Sequence, residues 1–459
     1  MNAELLTLDA VQLAAAYRKR EVSPVDATRA VLDRAEATQA TLNAFVTLDH
    51  AGALAAAGAA EKRWHDATPL SAIDGVPVSI KDNVYTEGMP TRFGSKAIVE
   101  ADTQGPDSPS VARLREAGAV IFGKTTLPDF AHKIVTDSPL TGITRNPWDL
   151  SRSPGGSSGG ASAAVAAGIG PLAVGTDGGG SIRVPAAWAG IYGLKPSFGR
   201  VPHHPRGAFP TVSHVGPMTR TVRDAALMMN VMAQPDRRDW YALPYHGADY
   251  EAQLTIDLKG KRIAFSPDFG MSQEVDPEIA AAVACAVKIL ADLGAHVDTA
   301  QPADIAASTE VHGTHWCAFS ARLGERLGPR AALLDVSMRA LIQRGKAFPP
   351  GAFVDAVVAR GDIGSRIQGF FEQHDLLVGP VINCIAPVIA DVDPENPPLP
   401  YFTAWCNQAG VPAASLPCGL TRSGLPIGVH VIGGPRADAL VLAASHAIEQ
   451  AFGTLTPPM

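Results

Sequence analysis

Residues 153–200, SPGGSSGGASAAVAAGIGPLAVGTDGGGSIRVPAAWAGIYGLKPSFGR, constrain this chain more than any other stretch, because they set two glycine-flanked serines, Ser157 and Ser181, in one apolar block. A serine hydroxyl is a weak nucleophile until a base takes its proton, and flanking glycines let backbone N–H groups approach a developing oxyanion. The block therefore reads as a catalytic floor. Its competitor is a flexible Gly/Ser linker followed by an ordinary buried strand and helix. Pro147, Trp148 and the Ala-rich run after the first glycines are not linker composition.

Helical and strand patterns alternate around the block. Residues 7–19 read as an amphipathic helix capped by Thr7, and residues 24–38 as a second, with Ser23 as cap, Pro24 first and Asp26 in the first turn. Residues 76–80 form a short apolar strand that delivers Lys81 at its end. A helix from Ser108-Pro109 to Ala117, a strand at 119–122, an Ala-rich helix at 162–167 stopped by Gly168, and a strand at 172–175 follow. Pro185 marks another helix start, and residues 261–297 repeat strand, helix and strand. Such alternation argues for an α/β fold with helices on both faces of a sheet. The Pro-rich segment 393–400 reads as a loop.

Composition narrows the class. With 459 residues, 46% hydrophobic and 18% charged, the chain can bury a large core, and a net charge of −7 with no basic patch argues against a nucleic-acid partner. The N-terminus lacks a signal-peptide pattern, and no run of 18 or more apolar residues predicts a membrane span. Five scattered cysteines with no CxxC spacing fit a reducing cytoplasm and provide no zinc or redox motif.

Three motifs carry a specific resemblance. GGSSGG at 155–160, GTDGGGSIR at 175–183 and GLKPSFGR at 193–200 closely resemble the amidase signature family of serine hydrolases, and GVPVSIKDN at 75–83 matches the GxPxxxKD setting of that family's lysine. Segments 123–130, 144–149, 214–221, 402–419 and 425–435 are similar as well, so the resemblance spans nearly the whole chain. It is weakest between about 300 and 375, where specificity is expected because variable segments on a fixed scaffold carry it. The resemblance implies the amidase signature fold, a central mixed β-sheet of about eleven strands flanked by helices on both faces. Length alone suggests two or three domains. Convergence of Lys81, Ser157, Ser181 and the C-terminal match on one site instead implies a single domain over 1–459: N-terminal helices (1–60), signature core (61–240), a variable substrate region (241–375) and the C-terminal part of the core (376–459).

Members of the family use a Ser-cisSer-Lys triad, which maps residue by residue onto this sequence. Ser181, after three glycines, is the expected nucleophile, with Gly178, Gly179, Gly180 and Ser181 itself as the oxyanion turn. Ser157 is the expected proton relay. Lys81 is the expected general base, kept neutral by burial beside Val78 and Ile80, while Asp82 points to the opposite strand face. Ser158, Asp177 and Arg183 are expected around the triad. The family often carries a β-branched residue where this chain has Gly178, which loosens the turn or opens room for substrate. By resemblance, His203, His204, Phe209 and His214 fall on the acyl side of the pocket, and Trp316 in the divergent region suits an apolar or aromatic group equally as well as core packing. A Ser-His-Asp arrangement using one of these histidines is the chemical rival.

Two other patterns carry competing readings. GAVIFGKT at 118–125 satisfies the phosphate-loop pattern, but its centre is an apolar strand and Pro128 interrupts the helix that should follow. His312 and His315, near Cys317, have a helical metal-ligand spacing but no third ligand, so no metal and no cofactor are expected. The expected activity is hydrolysis of the C–N bond of a linear carboxamide, or of an aryl amide, urea or carbamate, through a Ser181 acyl-enzyme. Its alternatives are the glutaminase subunit of a tRNA-dependent amidotransferase and a non-catalytic nucleotide-binding protein. The former class usually has a Tyr-Gly-Leu segment before its GPMTRT motif, where this chain reads HHPRGAFPTVSHV. A small-molecule amide is the expected partner, with a homodimer left open.

Overall fold

Short apolar runs bounded by glycine and proline become strands that can be buried on both faces. In the computed structural model, which describes residues 2–245 and 247–457, they assemble into one eleven-stranded sheet. In chain order its strands are β1 (Phe45–Leu48), β2 (Pro77–Lys81), β3 (Val120–Thr125), β4 (Leu172–Asp177), β5 (Tyr192–Lys195) and β6 (His214–Thr219). They continue with β7 (Arg262–Phe265), β8 (His296–Thr299), β9 (Leu376–Pro380), β10 (Ala413–Leu420) and β11 (Pro426–Gly433). The spatial order is β1-β3-β2-β4-β6-β5-β10-β11-β9-β7-β8. Strand β2 is parallel to both β3 and β4, and β7 is parallel to β8 and β9. The pairs from β4 through β6, β5, β10 and β11 to β9 are antiparallel, so the sheet is mixed.

This topology positions the site. Because β2 and β4 are parallel neighbours, their C-terminal residues Lys81 and Asp177 emerge at the same sheet edge, and antiparallel β6 sets His214 opposite Asp177. Val78, Ile80, Leu172, Val174, Leu194, Val215, Leu416 and Val429 form one buried cluster beneath that edge.

Local signals explain most helix boundaries. Helix α1 (Ala10–Lys19) starts at Asp9, not Thr7: the Asp9 carboxylate accepts from the Gln12 amide while the Gln12 side chain accepts from the Asp9 N–H, a reciprocal capping box. The Thr7 hydroxyl instead donates to the Glu4 carbonyl. Helix α2 (Pro24–Leu42) is capped by Ser23 as its sequence predicts. Helix α3 (Gly159–Ala166) begins earlier than its Ala-rich run suggested. A Cβ at Gly160 would sit 2.4 Å from the Thr126 nitrogen, so only glycine allows the first turn to lie this close to the neighbouring backbone. Helices α4 (Arg183–Ala189) and α5 (Val222–Met232) follow β4 and β6. The divergent region forms α6 (Ile305–Leu327), α7 (Val336–Lys346) and α8 (Ala352–Phe370). Among the described residues no helix is long and apolar enough to cross a membrane.

Candidate active site

Strand β2 ends on Lys81, whose side chain is fully buried. Its Nζ lies 2.7 Å from Ser157 Oγ, 2.9 Å from Ser158 Oγ and 3.3 Å from the Thr176 carbonyl. The partners have distinct roles. Ser158 Oγ donates its own proton to the Thr176 carbonyl at 3.2 Å, so both Ser158 and Thr176 can only accept from the amine. A neutral amine spends two N–H bonds on them and turns its lone pair to the Ser157 hydroxyl. Burial pushes Lys81 well below the usual lysine range, and the Asp177 charge offsets this only in part. Its neighbour Asp82 points away, 3.6 Å from Lys124 and accepting from the Arg92 amide. Ser157 follows a cis Gly156–Ser157 peptide at the mouth of α3.

The second glycine turn hangs on Asp177. Its carboxylate accepts from the Gly180 amide at 2.7 Å, the Ile182 amide at 3.1 Å and the Arg183 guanidinium at 3.0 Å on both oxygens. Burial alone would raise this carboxyl, but Arg183, Lys195 and Asn407 overcome burial and hold it well below the usual carboxylate range. Arg183 also donates to the Thr403 carbonyl and to Asn407 Oδ1, and Thr403 Oγ1 donates to the Gly179 carbonyl at 2.6 Å. Contrary to expectation, Gly180 is not a free oxyanion donor, because its N–H is engaged by Asp177; Gly178, Gly179 and Ser181 are the remaining amides of the turn.

Ser181 lies at the junction of two cavities. The larger, about 260 Å³, runs beneath α6 and α7, and the smaller, about 30 Å³, also reaches Ser157, Thr176 and Asn83. Phe209 and Trp316 line the small cavity with their rings stacked 3.6 Å apart, and Trp316 lines the large one too. Gly178 does not open room for substrate: the Trp316 ring occupies the space, 3.1 Å from where a Cβ would stand. His214 borders neither cavity. Its Nδ1 lies 2.8 Å from the Val212 carbonyl and its ring packs edge-on against Phe198, because β6 pairs it directly with Asp177 behind the turn. His203 does line the small cavity, whereas His204 is exposed.

The competing motifs meet structural roles. Lys124 is buried within β3, donating to Thr91 Oγ1 at 2.7 Å and pairing with Asp82, so the 118–125 segment presents no phosphate cradle. His312 Nδ1 accepts from Gln408 and its ring lies over Trp316, while His315 Nδ1 donates to the Val311 carbonyl and packs on Phe353. Sequence reasoning missed Thr176, Thr403, Asn407 and His430. The first signal was available as a polar residue at the end of an apolar strand; the others act through contacts with residues more than 200 positions away.

Comparison with known proteins adds to this geometry. The family model Amidase matches residues 26–442. The chain is 37% identical to a glutamyl-tRNA(Gln) amidotransferase subunit of Chloroflexus aurantiacus, over 97% of this chain and 96% of that protein. It is 34% identical to an acylamidase of Rhodococcus erythropolis, over 95% and 93% of the two. A bacterial aryl acylamidase of the amidase signature enzymes superposes with a TM-score of 0.88 at 30% identity, covering 97% of this chain and 96% of the other. With its signature motifs, mixed sheet and buried lysine at the serine turns, the chain belongs to the amidase signature family, whose enzymes hydrolyse C–N bonds.

Proposed function

We propose that this protein hydrolyses a linear carboxamide through an acyl-enzyme on Ser181, with Ser157 as proton relay and Lys81 as general base. The observation that carries the reading is the fully buried Lys81 amine, 2.7 Å from Ser157 Oγ and without a carboxylate hydrogen-bond partner among the described residues. In acylation the neutral amine takes the Ser157 proton as Ser157 takes that of Ser181, and Ser181 Oγ bonds to the amide carbon. The carbonyl oxygen becomes an oxyanion facing the Gly178, Gly179 and Ser181 amides. Collapse breaks the C–N bond, whose electron pair leaves with nitrogen while the proton returns from Lys81 through Ser157. Water then retraces the path and releases the acid. Ser158, Asp177 and Arg183 hold the two turns in place.

A fluorophosphonate should label Ser181, and Ser181→Ala should abolish turnover; peptide mapping of the adduct checks this. Labelling of another serine with Ser181→Ala still active would overturn the assignment. A second reading, the glutaminase subunit of a tRNA-dependent amidotransferase, is favoured by the 37% identity to a protein of that name. Glutamine hydrolysis that appears only on co-expression with partner subunits would select it.

A further inference from the structure

The cavities on either side of Ser181 differ in size and chemistry. The large one, about 260 Å³, is walled mostly by apolar groups, among them Ile134, Trp316, Leu341 and Tyr401, with the charged Lys133, Arg344 and Glu395 also on its lining. The small one, about 30 Å³, has room for roughly one water and sets the polar Asn83, Thr176, His203 and Ser213 among the rings of Phe93, Phe130, Phe209 and Trp316. Aromatic packing keeps it small. The Phe209 and Trp316 rings stack at 3.6 Å and 6°, and the Trp316 indole N–H donates to the His132 carbonyl at 3.0 Å. The absence of a side chain at residue 178 lets Trp316 lie tightly against the serine turn: a Cβ there would be 3.1 Å from its ring, so the ring would have to give by a few tenths of an ångström.

The path of the proton decides which part of the amide enters which cavity. The departing nitrogen must collect the proton held by Lys81, and Ser157 is the last carrier. Ser157 lines the small cavity and not the large one. Nitrogen therefore leaves into the small cavity, so that His203 and Phe209 border the leaving group and not the acyl side on which the resemblance placed them, and the acyl group extends into the large one.

We infer, resting on the triad reading above, that the substrate is a primary carboxamide of an apolar, elongated or aromatic acid, and that Trp316 and Phe209 are the specificity residues that reject N-substituted amides. The reaction is R–CO–NH₂ plus water to R–COOH plus NH₃. The C–N electron pair and the Ser157 proton go to nitrogen, ammonia departs, and the hydrolytic water occupies the space it vacates. The lining suits ammonia. Burial holds His203 down to about 4, so its ring is neutral, and its buried Nδ1 has no hydrogen-bond partner among the described residues, leaving an acceptor for an N–H.

The test is a leaving-group series on one acyl group: 3-phenylpropanamide and its N-methyl and N-phenyl derivatives, with acetanilide as the reversed case. The primary amide should exceed the N-phenyl amide in kcat/KM by about 100-fold or more, given that one misfitted methylene is worth about 10- to 200-fold. Phe209→Ala and Trp316→Ala should raise the N-substituted to primary ratio about tenfold or more, and the milder Trp316→Phe should shift it in the same direction while keeping an aromatic ring. Hydroxylamine should intercept the acyl-enzyme in the wild type, and benzylamine only in the Phe209→Ala variant. Faster turnover of acetanilide than of 3-phenylpropanamide, or a ratio unmoved in all three folded variants, would overturn the inference. Ser181→Ala separates the two levels: if it is inert, the leaving-group order judges this inference alone, and if it stays active, the triad reading fails with it.

Discussion

A lysine acts as a base only when unprotonated, and the setting of Lys81 favours that state: burial lowers its pKa, and its amine lies against two acceptor-only partners and one serine hydroxyl. Because its folded-state pKa is depressed, the neutral form dominates above that value and kcat/KM should fall as pH drops through it. Lys81→Ala should lose about 10²- to 10⁴-fold in acylation rate, the usual contribution of a general base. Lys81→Arg should not rescue it, since guanidinium stays charged. Near wild-type activity in Lys81→Arg, or an acid limb that moves with His203→Ala, would point to a histidine base. The same depression affects stability, because the unfolded chain holds the Lys81 proton more tightly than the folded chain does. The cost of burying Lys81 therefore shrinks as pH rises toward the range of an exposed lysine. Lys81→Met should accordingly stabilise the fold more at pH 6 than at pH 9, read as urea midpoints. The sequence exposed this residue's identity and strand-end position and, by resemblance, Ser158 nearby, but not the Thr176 carbonyl or that Ser158 accepts from the amine.

At the scale of elements, the turn between β4 and α4 is held by one buried ion pair in addition to its own glycines, of which Gly180 adopts a φ of 143°. Asp177 and Arg183 are both fully buried, and each charge is compensated chiefly by the other. Arg183→Met should cost about 3–5 kcal/mol, because it leaves a buried carboxylate without its cation. A denaturant-midpoint shift near zero would show that Asn407 and Lys195 suffice to compensate Asp177. Capping was legible where the cue was unambiguous, as at Ser23, and misread at Thr7, because the reciprocal Asp9–Gln12 box satisfies two amides where threonine would satisfy one. Helices α6 to α8 had no decisive pattern. Their aromatic residues divide between the Phe319–Phe353 contacts and the Trp316 wall, and periodicity cannot tell a packing ring from one that borders a cavity.

Across the whole molecule, the N-terminal helix is tied to the core by a contact between residues 214 positions apart: the Ala10 amide lies 3.1 and 3.2 Å from the oxygens of Asp224 at the start of α5. Burial first, then the charges of Asp9 and Glu449, raise Asp224 to about 8, against the Ala10 amide and Arg220, which lower it. A raised folded pKa means this group's contribution is full below the unfolded value, about 4, and is lost as pH rises through about 8. Asp224→Asn should therefore make the melting temperature fall less, or rise more, over that interval than in the wild type; an unchanged slope would show that this group does not contribute to it. The two glycine-serine turns, the strand that ends on Lys81 and their order along the chain were legible in the sequence alone, because glycine freedom, strand alternation and helix caps act over a few residues, while the roles expected of Lys81, Ser157 and Ser181 came from the family resemblance. Only the tertiary structure decided that Thr403 and Asn407 clamp the Asp177 turn, that Gly180 donates to a carboxylate, that His214 lies behind the site and that Trp316 fills the space above Gly178. Those contacts join residues far apart in the chain, and their geometry follows from strand order and close packing, to which local sequence pattern is blind.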